Sequence, residues 1–387
     1  MTATTTTSTT PIDLTDTAAP GVATGPNEHR QPDAAPQPDR ARLDDFLARF
    51  AADQAAGMHL STVVLGEQLG LWRALADGGA QTGVELAART GYEPRLVLEW
   101  LRAQAVSGYC EHDEDTDRFR LTPEQRACLA EEGGPSFAAG GLTTVSAVHR
   151  RVEDVADAFR RRKAVPWEAH DPGLFSGVAR AFRPAFETHL TSSWIPALTG
   201  IDERLRAGGR VADVACGFGT SSILLARAYP ASTVAAFDQH ALSIEAARRA
   251  AAEAGVADRV TFEVRDAAEL PDAGYDLVCV LNALHEMGDP VGVCRRVREN
   301  LTEGGRLLLV EPVAGDRLAD GHTPVGRSFL AASTMICLPS ALSQGGDRHL
   351  GAQAPDADFA EVTRAAGFSS CRRVVETPLH RVLEVAP

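Results

Sequence analysis

Short apolar runs alternate with helical patterns through the C-terminal half of the chain. The runs predict strands over 233–238, 260–267, 275–282 and 306–312, preceded by a strand that ends in a glycine turn within 211–219. The patterns between them predict helices over 220–228, 241–254 and 290–301. Asp289 followed by Pro290 is typical of a helix start and supports the last of these helices. Strands and helices that alternate at this spacing predict an α/β fold with a doubly wound, mostly parallel sheet.

Acids, glycines and an amide stand where these predicted strands end. The carboxyl ends of parallel strands lie at one edge of the sheet, and doubly wound sheets bind their ligands there. A single acid at a strand end is often structural, whereas several at one edge predict a ligand site. The residues at this edge are Asp213, Gly217, Gly219, Asp238, Asp266 and Asn282.

The sharpest local signal is the pair Gly217 and Gly219, which follows an apolar strand and precedes a helix. Such a turn presents bare backbone amides and a helix N-terminus, as a nucleotide-type cofactor requires, although two glycines alone also fit an ordinary strand-to-helix turn. A dinucleotide fingerprint needs a third glycine where the chain has Ser222, so that interpretation is incomplete. Ala215 takes the place of another glycine and predicts an ordinary negative φ there.

With Asp213, Gly217 and Gly219 at this spacing, the turn resembles motif I of class I S-adenosylmethionine-dependent methyltransferases. The resemblance implies S-adenosylmethionine as cofactor, with Asp238 at the ribose hydroxyls and Asp266 at the adenine amine. Segments 370–376 and 380–385 resemble the terminal antiparallel hairpin common in that family. The residues expected around the cofactor are Asp213, Ala215, Gly217, Gly219, Asp238, Asp266, Ala267 and Asn282.

A mainly helical unit, residues 40–130, precedes the predicted sheet and has the outline of a winged helix. Its apolar stretch 59–72 predicts a buried helix, Thr82 begins a capping box, and Gly91 and Pro94 separate the next two helices. The remaining predicted boundaries are a Thr-, Ala- and Pro-rich tail over 1–39, expected to be disordered, a helical linker over 131–200, and the cofactor-binding domain over 201–387.

Charge argues against nucleic acid as the partner of this unit. Strand-like pieces around Tyr109 and Phe119 predict a wing, and its turn region, 111–117, carries five acids. Residues 40–130 hold 10 Lys/Arg against 14 Asp/Glu, and the chain has a formal net charge of −14, which opposes phosphate binding.

Three further motifs extend the resemblance to winged-helix, small-molecule O-methyltransferases of an actinobacterial type. They lie at 284–290, 324–327 and 332–337. The resemblance implies that the N-terminal unit dimerises and encloses the substrate, so a homodimer is expected.

The cysteine content and the lack of long apolar runs bear on metal binding and cellular location. The seven cysteines are scattered without a C-x-x-C pair, so neither a disulfide framework nor a zinc site is predicted. The run from His285 to Asp289 also lacks the second histidine of an H-E-x-x-H zinc site. No uninterrupted apolar segment is expected to approach membrane-spanning length, and no apolar signal core is expected at the N-terminus, so the cytoplasm is the expected location.

His285 is the candidate general base. It follows the fourth predicted strand, near the expected cofactor methyl, and an imidazole with a pKa near 6.5 can take a proton at neutral pH. It resembles the catalytic histidine in the Leu-His-Asp-Trp motif of phenol O-methyltransferases. This chain has Glu286 and Met287 in place of the aspartate and tryptophan of that motif. A histidine that only braces the loop stays an alternative. Glu311 is the candidate to orient the base, or else it caps backbone amides.

Further residues are candidates for the walls of the site: Ser333, Met335 and Gln344 around the acceptor, and Phe186, His189 and Trp194 over the cofactor. The function predicted is methyl transfer from S-adenosylmethionine to an oxygen, or with less support a nitrogen or carbon, of a small aromatic or polyketide-like acceptor. Two alternatives stay open: a non-methylating enzyme that keeps the cofactor on the same scaffold, and a winged-helix regulator.

Overall fold

The computed structural model describes residues 37–387. The predicted tail, residues 1–39, lies almost entirely outside this range. The described residues separate into two units, one that ends at Asp53 and one that spans Gln54–Pro387, and the boundary falls inside the first helix. The second unit holds the sheet and most of the winged-helix residues.

The winged-helix residues form five helices and a hairpin. The helices are α1 (Arg40–Gln68), α2 (Leu71–Gly78), α3 (Gly83–Thr90), α4 (Pro94–Val106) and α5 (Pro123–Leu129), and the hairpin pairs β1 (Glu111–Asp113) with β2 (Arg118–Arg120). The capping box at Thr82, the left-handed stop at Gly91 and the start of α4 at Pro94 are as predicted.

Two local predictions in this region are wrong. The stretch 59–72 is not one helix, because α1 ends before Gly70, whose φ of 68° suits glycine and starts α2. Tyr109 lies in a bend just ahead of β1. The rings of Trp72 and Trp100 meet edge to face at 4.7 Å in the core that these helices share.

Four helices lead from the hairpin to the sheet. They are α6 (Leu142–Arg150), α7 (Val152–Arg161), α8 (Pro172–His189) and α9 (Ile201–Gly208), and α8 continues into a π-helical turn at Leu190–Trp194. A Cβ at Gly177 would lie 2.6 Å from the backbone of Thr144, so glycine is what allows α6 and α8 to pack this closely.

A seven-stranded sheet carries the C-terminal part. Its strands are β3 (Arg210–Val214), β4 (Thr233–Asp238), β5 (Val260–Val264), β6 (Tyr275–Leu281), β7 (Leu301–Pro312), β8 (Ser370–Glu376) and β9 (His380–Ala386), in the order β5-β4-β3-β6-β7-β9-β8. The first five pair in parallel, and β9 runs antiparallel to β7 and β8. The mostly parallel α/β fold and the terminal hairpin are confirmed. Strand order reverses between β3 and β6, where such sheets bind ligands.

Helices cover both faces of the sheet, which explains why its strands are apolar almost throughout. In β3, Val211 packs into one core and Ala212 into the other. The covering helices are α10 (Thr220–Ala228) and α11 (Ala241–Glu253) on one face, and α12 (Pro290–Asn300) and α15 (Asp356–Ala365) on the other.

One long helix contradicts the expectation that no apolar segment approaches membrane-spanning length. Helices α13 (Pro324–Ala332) and α14 (Leu338–Ser343) are continuous through a π-helical turn at Ser333–Cys337. Within residues 37–387, this 20-residue stretch is long and apolar enough to cross a membrane by length and composition, with a mean hydropathy of 1.3, and 39% of it is buried. It also lines an internal cavity, so packing around that cavity accounts for much of its apolar character.

Candidate active site

A cavity of about 560 Å³ opens at the carboxyl edge of β3, β4 and β6. Seven predicted site residues lie in its wall: Ala215, Gly217, Asp238, Asp266, Ala267, Asn282 and His285. The other three, Asp213, Gly219 and Glu311, lie behind the wall. The sheet edge therefore brings the predicted residues together at one place, with distinct positions around the cavity.

The backbone at Ala215 contradicts the sequence prediction. Its φ is 59°, in the left-handed region, instead of the negative value expected of alanine. Neighbouring hydrogen bonds hold the turn: Cys216 N donates to Phe237 O on β4 at 3.0 Å, and Gly219 N donates to Cys216 O at 2.9 Å. A left-handed non-glycine residue costs about 1–2 kcal/mol, which such tertiary contacts must offset.

Gly217 and Gly219 meet different needs. Gly217 has φ 53° and open space beyond its Cα, so its bare backbone is accessible from the cavity. Gly219 has φ 76°, and a Cβ there would lie 2.7 Å from the Phe262 ring and 2.9 Å from the Ala247 side chain. Glycine at 217 leaves room for a ligand, whereas glycine at 219 lets α10 begin close against its neighbours.

Asp213 does not line the cavity but holds the start of α10 beside it. Its carboxylate is 1% exposed and accepts hydrogen bonds from Ser221 Oγ at 2.6 Å and Ser222 Oγ at 2.5 Å. Burial raises the pKa of Asp213 to about 6, and the serine hydrogen bonds oppose that rise. Ser222 stands where a dinucleotide-binding turn has its third glycine, and here its hydroxyl attaches the start of α10 to β3.

Asp238 joins the turn to the cavity wall. Its Oδ2 accepts from Gly217 N and its Oδ1 from His240 N, both at 2.8 Å. Burial raises the pKa of Asp238, opposed by these backbone N–H groups. Because a carboxylate oxygen can accept more than one hydrogen bond, the side chain can still accept from two adjacent hydroxyls of a ligand.

Asn282 gives the clearest indication that this wall contacts a ligand. Its φ is 53°, its backbone N donates to Val310 O at 2.6 Å, and its side-chain Oδ1 and Nδ2 are buried with no hydrogen-bond partner among residues 37–387. A buried amide left unpaired is costly, so this part of the wall is suited to hydrogen bonding with a bound molecule. Nearby, Asp266 accepts from Ala268 N at 2.8 Å.

A buried carboxylate fixes the candidate base. His285 Nδ1 donates to Glu311 Oε2 at 2.5 Å, while Glu311 Oε1 accepts from Leu284 N at 3.1 Å. Glu311 is 0% exposed. The two roles considered for Glu311 from the sequence, orienting the base and capping a backbone amide, thus occur together. The second ring nitrogen, Nε2, is left on the cavity side, 3.7 Å from Glu286 Oε1.

The surrounding charges make His285 more basic. Burial disfavours the imidazolium, but the charge and hydrogen bond of Glu311, together with Glu286, outweigh it and raise the pKa of His285. Burial also raises the pKa of Glu286, opposed by the charge of His285. An imidazole in this setting suits a proton-accepting role.

Apolar side chains form the rest of the wall. The main ones are Val145, Trp167, Phe175, Val178, Phe182, Phe329 and Ile336. Of the weaker sequence candidates, Phe186, Met287 and Gln344 line the cavity, whereas His189, Trp194, Ser333 and Met335 lie outside its lining. Trp167 and Phe175 were not predicted from the sequence, because aromatic residues in the predicted helical linker also fit ordinary core packing.

Two family models match the chain. Residues 205–343 match a methyltransferase domain, and residues 56–131 match an Rv2258c-like winged helix-turn-helix domain. The chain contains a methyltransferase domain. A winged helix-turn-helix domain precedes it, and both domains are those that the sequence predicts.

Similar curated proteins methylate small molecules, as their names state. The 27-O-demethylrifamycin SV methyltransferase of Amycolatopsis mediterranei is 37% identical over 150 residues, which is 37% of this chain and 55% of that protein. The 3-amino-4-hydroxybenzoate 4-O-methyltransferase of Streptomyces cremeus is 29% identical over 321 residues, 75% of this chain and 79% of that protein. The chain spans about half the length of the first of these relatives.

Solved structures of O-methyltransferases share the fold. The mitomycin 7-O-methyltransferase MmcR superposes with a TM-score of 0.66 at 19% identity, covering 90% of this chain and 100% of that one. Human N-acetylserotonin methyltransferase, solved with its methyl donor, gives 0.64 at 17% identity over 91% and 99% of the two chains. At these identities the similarity establishes the architecture.

Proposed function

We propose that this methyltransferase moves a methyl group from S-adenosylmethionine to a hydroxyl oxygen of a small, largely apolar acceptor of aromatic or polyketide type. The observation that carries the proposal is the pair of His285 and Glu311, which leaves one imidazole nitrogen at the cavity beside the glycine turn. Relatives named for O-methylation of small metabolites support the acceptor class.

The strand-end side of the cavity fits the cofactor. Asp238 has carboxylate oxygens for the ribose hydroxyls, and Gly217 leaves room for close approach. The unpaired amide of Asn282 offers a donor and an acceptor to the amino-acid portion, and Asp266 with Ala267 lies where the adenine is expected. When bound, the cofactor supplies an electrophilic methyl group on a sulfonium.

The chain's own residues then position the acceptor and move one proton. His285 Nε2 accepts the proton of the acceptor hydroxyl, and Glu311 stabilises the imidazolium that forms. The aromatic wall excludes water and holds the acceptor in line with the methyl group, which lowers the entropic barrier. A buried base favours oxygen over nitrogen, because a hydroxyl must lose its proton to become a good nucleophile whereas a neutral amine attacks with its lone pair.

Replacing Asp238 with alanine is expected to weaken S-adenosylmethionine binding at least 10-fold, because hydrogen bonds from a charged group contribute about 1.5–3 kcal/mol each. Isothermal titration calorimetry with the purified protein measures this. The exposed Asp258, changed to alanine, is the matched control and should bind as the wild type does.

Equal affinity in the Asp238 variant, or no binding by the wild type, would remove the cofactor assignment. Formation of S-adenosylhomocysteine together with product tests the reaction itself. Product formed without it would favour the non-methylating enzyme on the same scaffold.

A homodimer through the N-terminal unit is part of the proposal. In α1, Leu43, Phe46, Leu47 and Phe50 are spaced on one helical face, and all four are exposed, Phe46 by 59% and Phe50 by 58%. An apolar stripe of this kind on a monomer indicates a contact surface. A second copy of the chain would bury it by isologous packing.

Changing both Phe46 and Phe50 to glutamate is expected to weaken the dimer about 30-fold or more, since buried aromatic anchors contribute 2 kcal/mol or more at interfaces. Light scattering across a dilution series measures the monomer fraction. Ala52→Glu adds a charge away from the stripe and should leave the dimer intact. A wild type that is monomeric at every concentration would contradict the proposal.

Charge and thiols support a cytoplasmic enzyme that does not bind nucleic acid. The arginines of β2 are engaged, Arg118 with Glu85 at 2.9 Å and Arg120 with Glu111 at 2.7 Å, so they are not free for phosphates. All seven cysteines are free thiols, as is usual in a reducing compartment.

A further inference from the structure

Three side chains at the cavity carry metal-ligating atoms that face one another. The His285 ring, the Glu286 carboxylate and the Cys337 Sγ each offer one atom, and these atoms lie within 4.8 Å of one another. His285 and Glu286 lie in the short turn after β6, and Cys337 ends the π-helical turn between α13 and α14. All three line the cavity, so an ion can reach them from solvent.

The spacing is close to what a tetrahedral ion needs. A nitrogen and an oxygen ligand, each about 2.1 Å from Zn²⁺, are about 3.4 Å apart at a tetrahedral angle, and a nitrogen and a sulfur ligand about 3.6 Å. His285 Nε2 and Glu286 Oε1 are 3.7 Å apart. The distances to Cys337 Sγ are at most 4.8 Å, which exceeds the separation of such a pair by about 1 Å at most.

The surroundings of His285 add a second, independent observation. Metal-ligating histidines almost always donate their other ring N–H to a carboxylate, which fixes the ring and raises its basicity. His285 Nδ1 has this arrangement with Glu311 at 2.5 Å, and Glu311 is itself held by Leu284 N. The ring therefore presents Nε2 in a fixed direction to the cavity.

The donor set also selects the kind of ion. One imidazole nitrogen, one carboxylate oxygen and one thiolate sulfur suit a borderline-soft divalent cation and disfavour Mg²⁺ or Ca²⁺, which prefer oxygen. Three protein ligands leave a fourth position open toward the cavity. The carboxylates of Glu286 and Glu311 place negative charge at the site, which a divalent cation offsets.

We propose that His285, Glu286 and Cys337 bind a thiophilic divalent cation such as Zn²⁺. Glu311 does not bind the ion but orients the His285 ring through the hydrogen bond to Nδ1. Binding requires the thiolate, so the thiol proton of Cys337 is released to solvent as the Sγ–metal bond forms. Because the ion takes the lone pair of His285 Nε2, it competes with the proton transfer of the proposed function. Metal binding itself does not depend on that function, whereas the inhibition rests on it.

Cobalt(II) titration of the chelator-treated full chain tests the site without an acceptor. One equivalent of Co²⁺ should produce a thiolate-to-cobalt charge-transfer band and the intense visible bands of a four-coordinate ion, and Zn²⁺ should displace both. Cys337→Ser should abolish the charge-transfer band, and Glu311→Gln should weaken metal binding about 10–100-fold. Cys216 also lines the cavity but lies outside the cluster, so Cys216→Ser is the matched control and should keep the band.

Two results would overturn the site: no charge-transfer band in the wild type, or a band that persists in Cys337→Ser. Calorimetry with S-adenosylmethionine on the same samples shows that each variant is folded and separates this proposal from the proposed function. A protein that binds the cofactor and shows no cobalt band loses the metal site alone. A cobalt band without cofactor binding leaves the metal site and removes the methyl-transfer proposal.

Discussion

Replacing His285 with glutamine is expected to lower kcat for methyl transfer by about 10²–10⁴-fold, the usual contribution of a positioned general base. Glutamine keeps a polar side chain of similar reach but cannot accept a proton at neutral pH. The Kd for S-adenosylmethionine should stay close to that of the wild type, because the proposed cofactor contacts come from Asp238, Asn282 and the glycine turn. Single-turnover rates with saturating cofactor measure the effect.

The pH dependence of activity distinguishes a general-base role of His285 from a structural role in holding the loop. Because Glu311 and Glu286 raise the pKa of His285, the neutral ring that accepts a proton forms only above that raised pKa. Activity should therefore rise with pH through a midpoint above the ordinary histidine value of about 6.5. Removing the charge in Glu311→Gln lowers the pKa of His285, so the rising limb should move to lower pH while the maximal rate falls.

A bracing role makes the opposite set of predictions. If His285 only holds the loop, His285→Gln keeps its turnover once it is folded and saturated with cofactor. Glu311→Gln then changes stability without moving the pH limb. Retained turnover together with an unmoved limb would rule out His285 as the base.

The buried His380 is expected to make the folded protein less stable as the pH falls. Its side chain is 0% exposed, neither ring nitrogen has a hydrogen-bond partner among residues 37–387, and it packs against the rings of Phe182 and Trp194 at 5.2 and 5.5 Å. Burial, aided by the charge of His189, lowers the pKa of His380 to about 4. The folded protein therefore holds this imidazole neutral.

The sign of the effect follows from the two pKa values. The unfolded chain takes up the proton near pH 6.5, whereas the folded chain takes it up only near pH 4. The stabilisation is full above pH 6.5 and is lost as pH falls toward 4, by about 2 kcal/mol at pH 5 and about 3 kcal/mol by pH 4. His380→Phe removes the titrating group and suits the aromatic surroundings.

Urea unfolding of wild type and His380→Phe at pH 7.5 and pH 5 tests this. The wild type should lose about 2 kcal/mol more than the variant between the two pH values. His149 is exposed, so His149→Phe is the control and should keep the wild-type difference. Parallel losses in wild type and His380→Phe would show that His380 does not titrate in this window.

The cofactor edge was predictable because its signals are local. A strand, a glycine pair and a helix follow one another within 211–228, and the acids Asp238 and Asp266 each lie at the end of a recognisable strand. Parallel strands end at one edge, so these residues had to converge. His285 was found for the same reason, as it follows β6 within one turn.

The different roles of the residues at that edge were not predictable. Asp213 and Asp238 look alike in the sequence, yet Asp213 is bound by two serine hydroxyls of α10 and Asp238 faces the cavity. The φ of Ala215 follows from a hydrogen bond between Cys216 and β4, a tertiary contact that overrides the usual preference of alanine.

The sequence by itself determined the fold class and predicted the candidate cofactor edge and the candidate base, because periodicity and short spacings report local structure directly. Only the tertiary structure decided that Trp167 and Phe175 line the cavity and that Glu286 and Cys337 meet beside His285. Those residues come from elements far apart in the chain, and side chains from separate elements are brought together by packing, which no local pattern specifies.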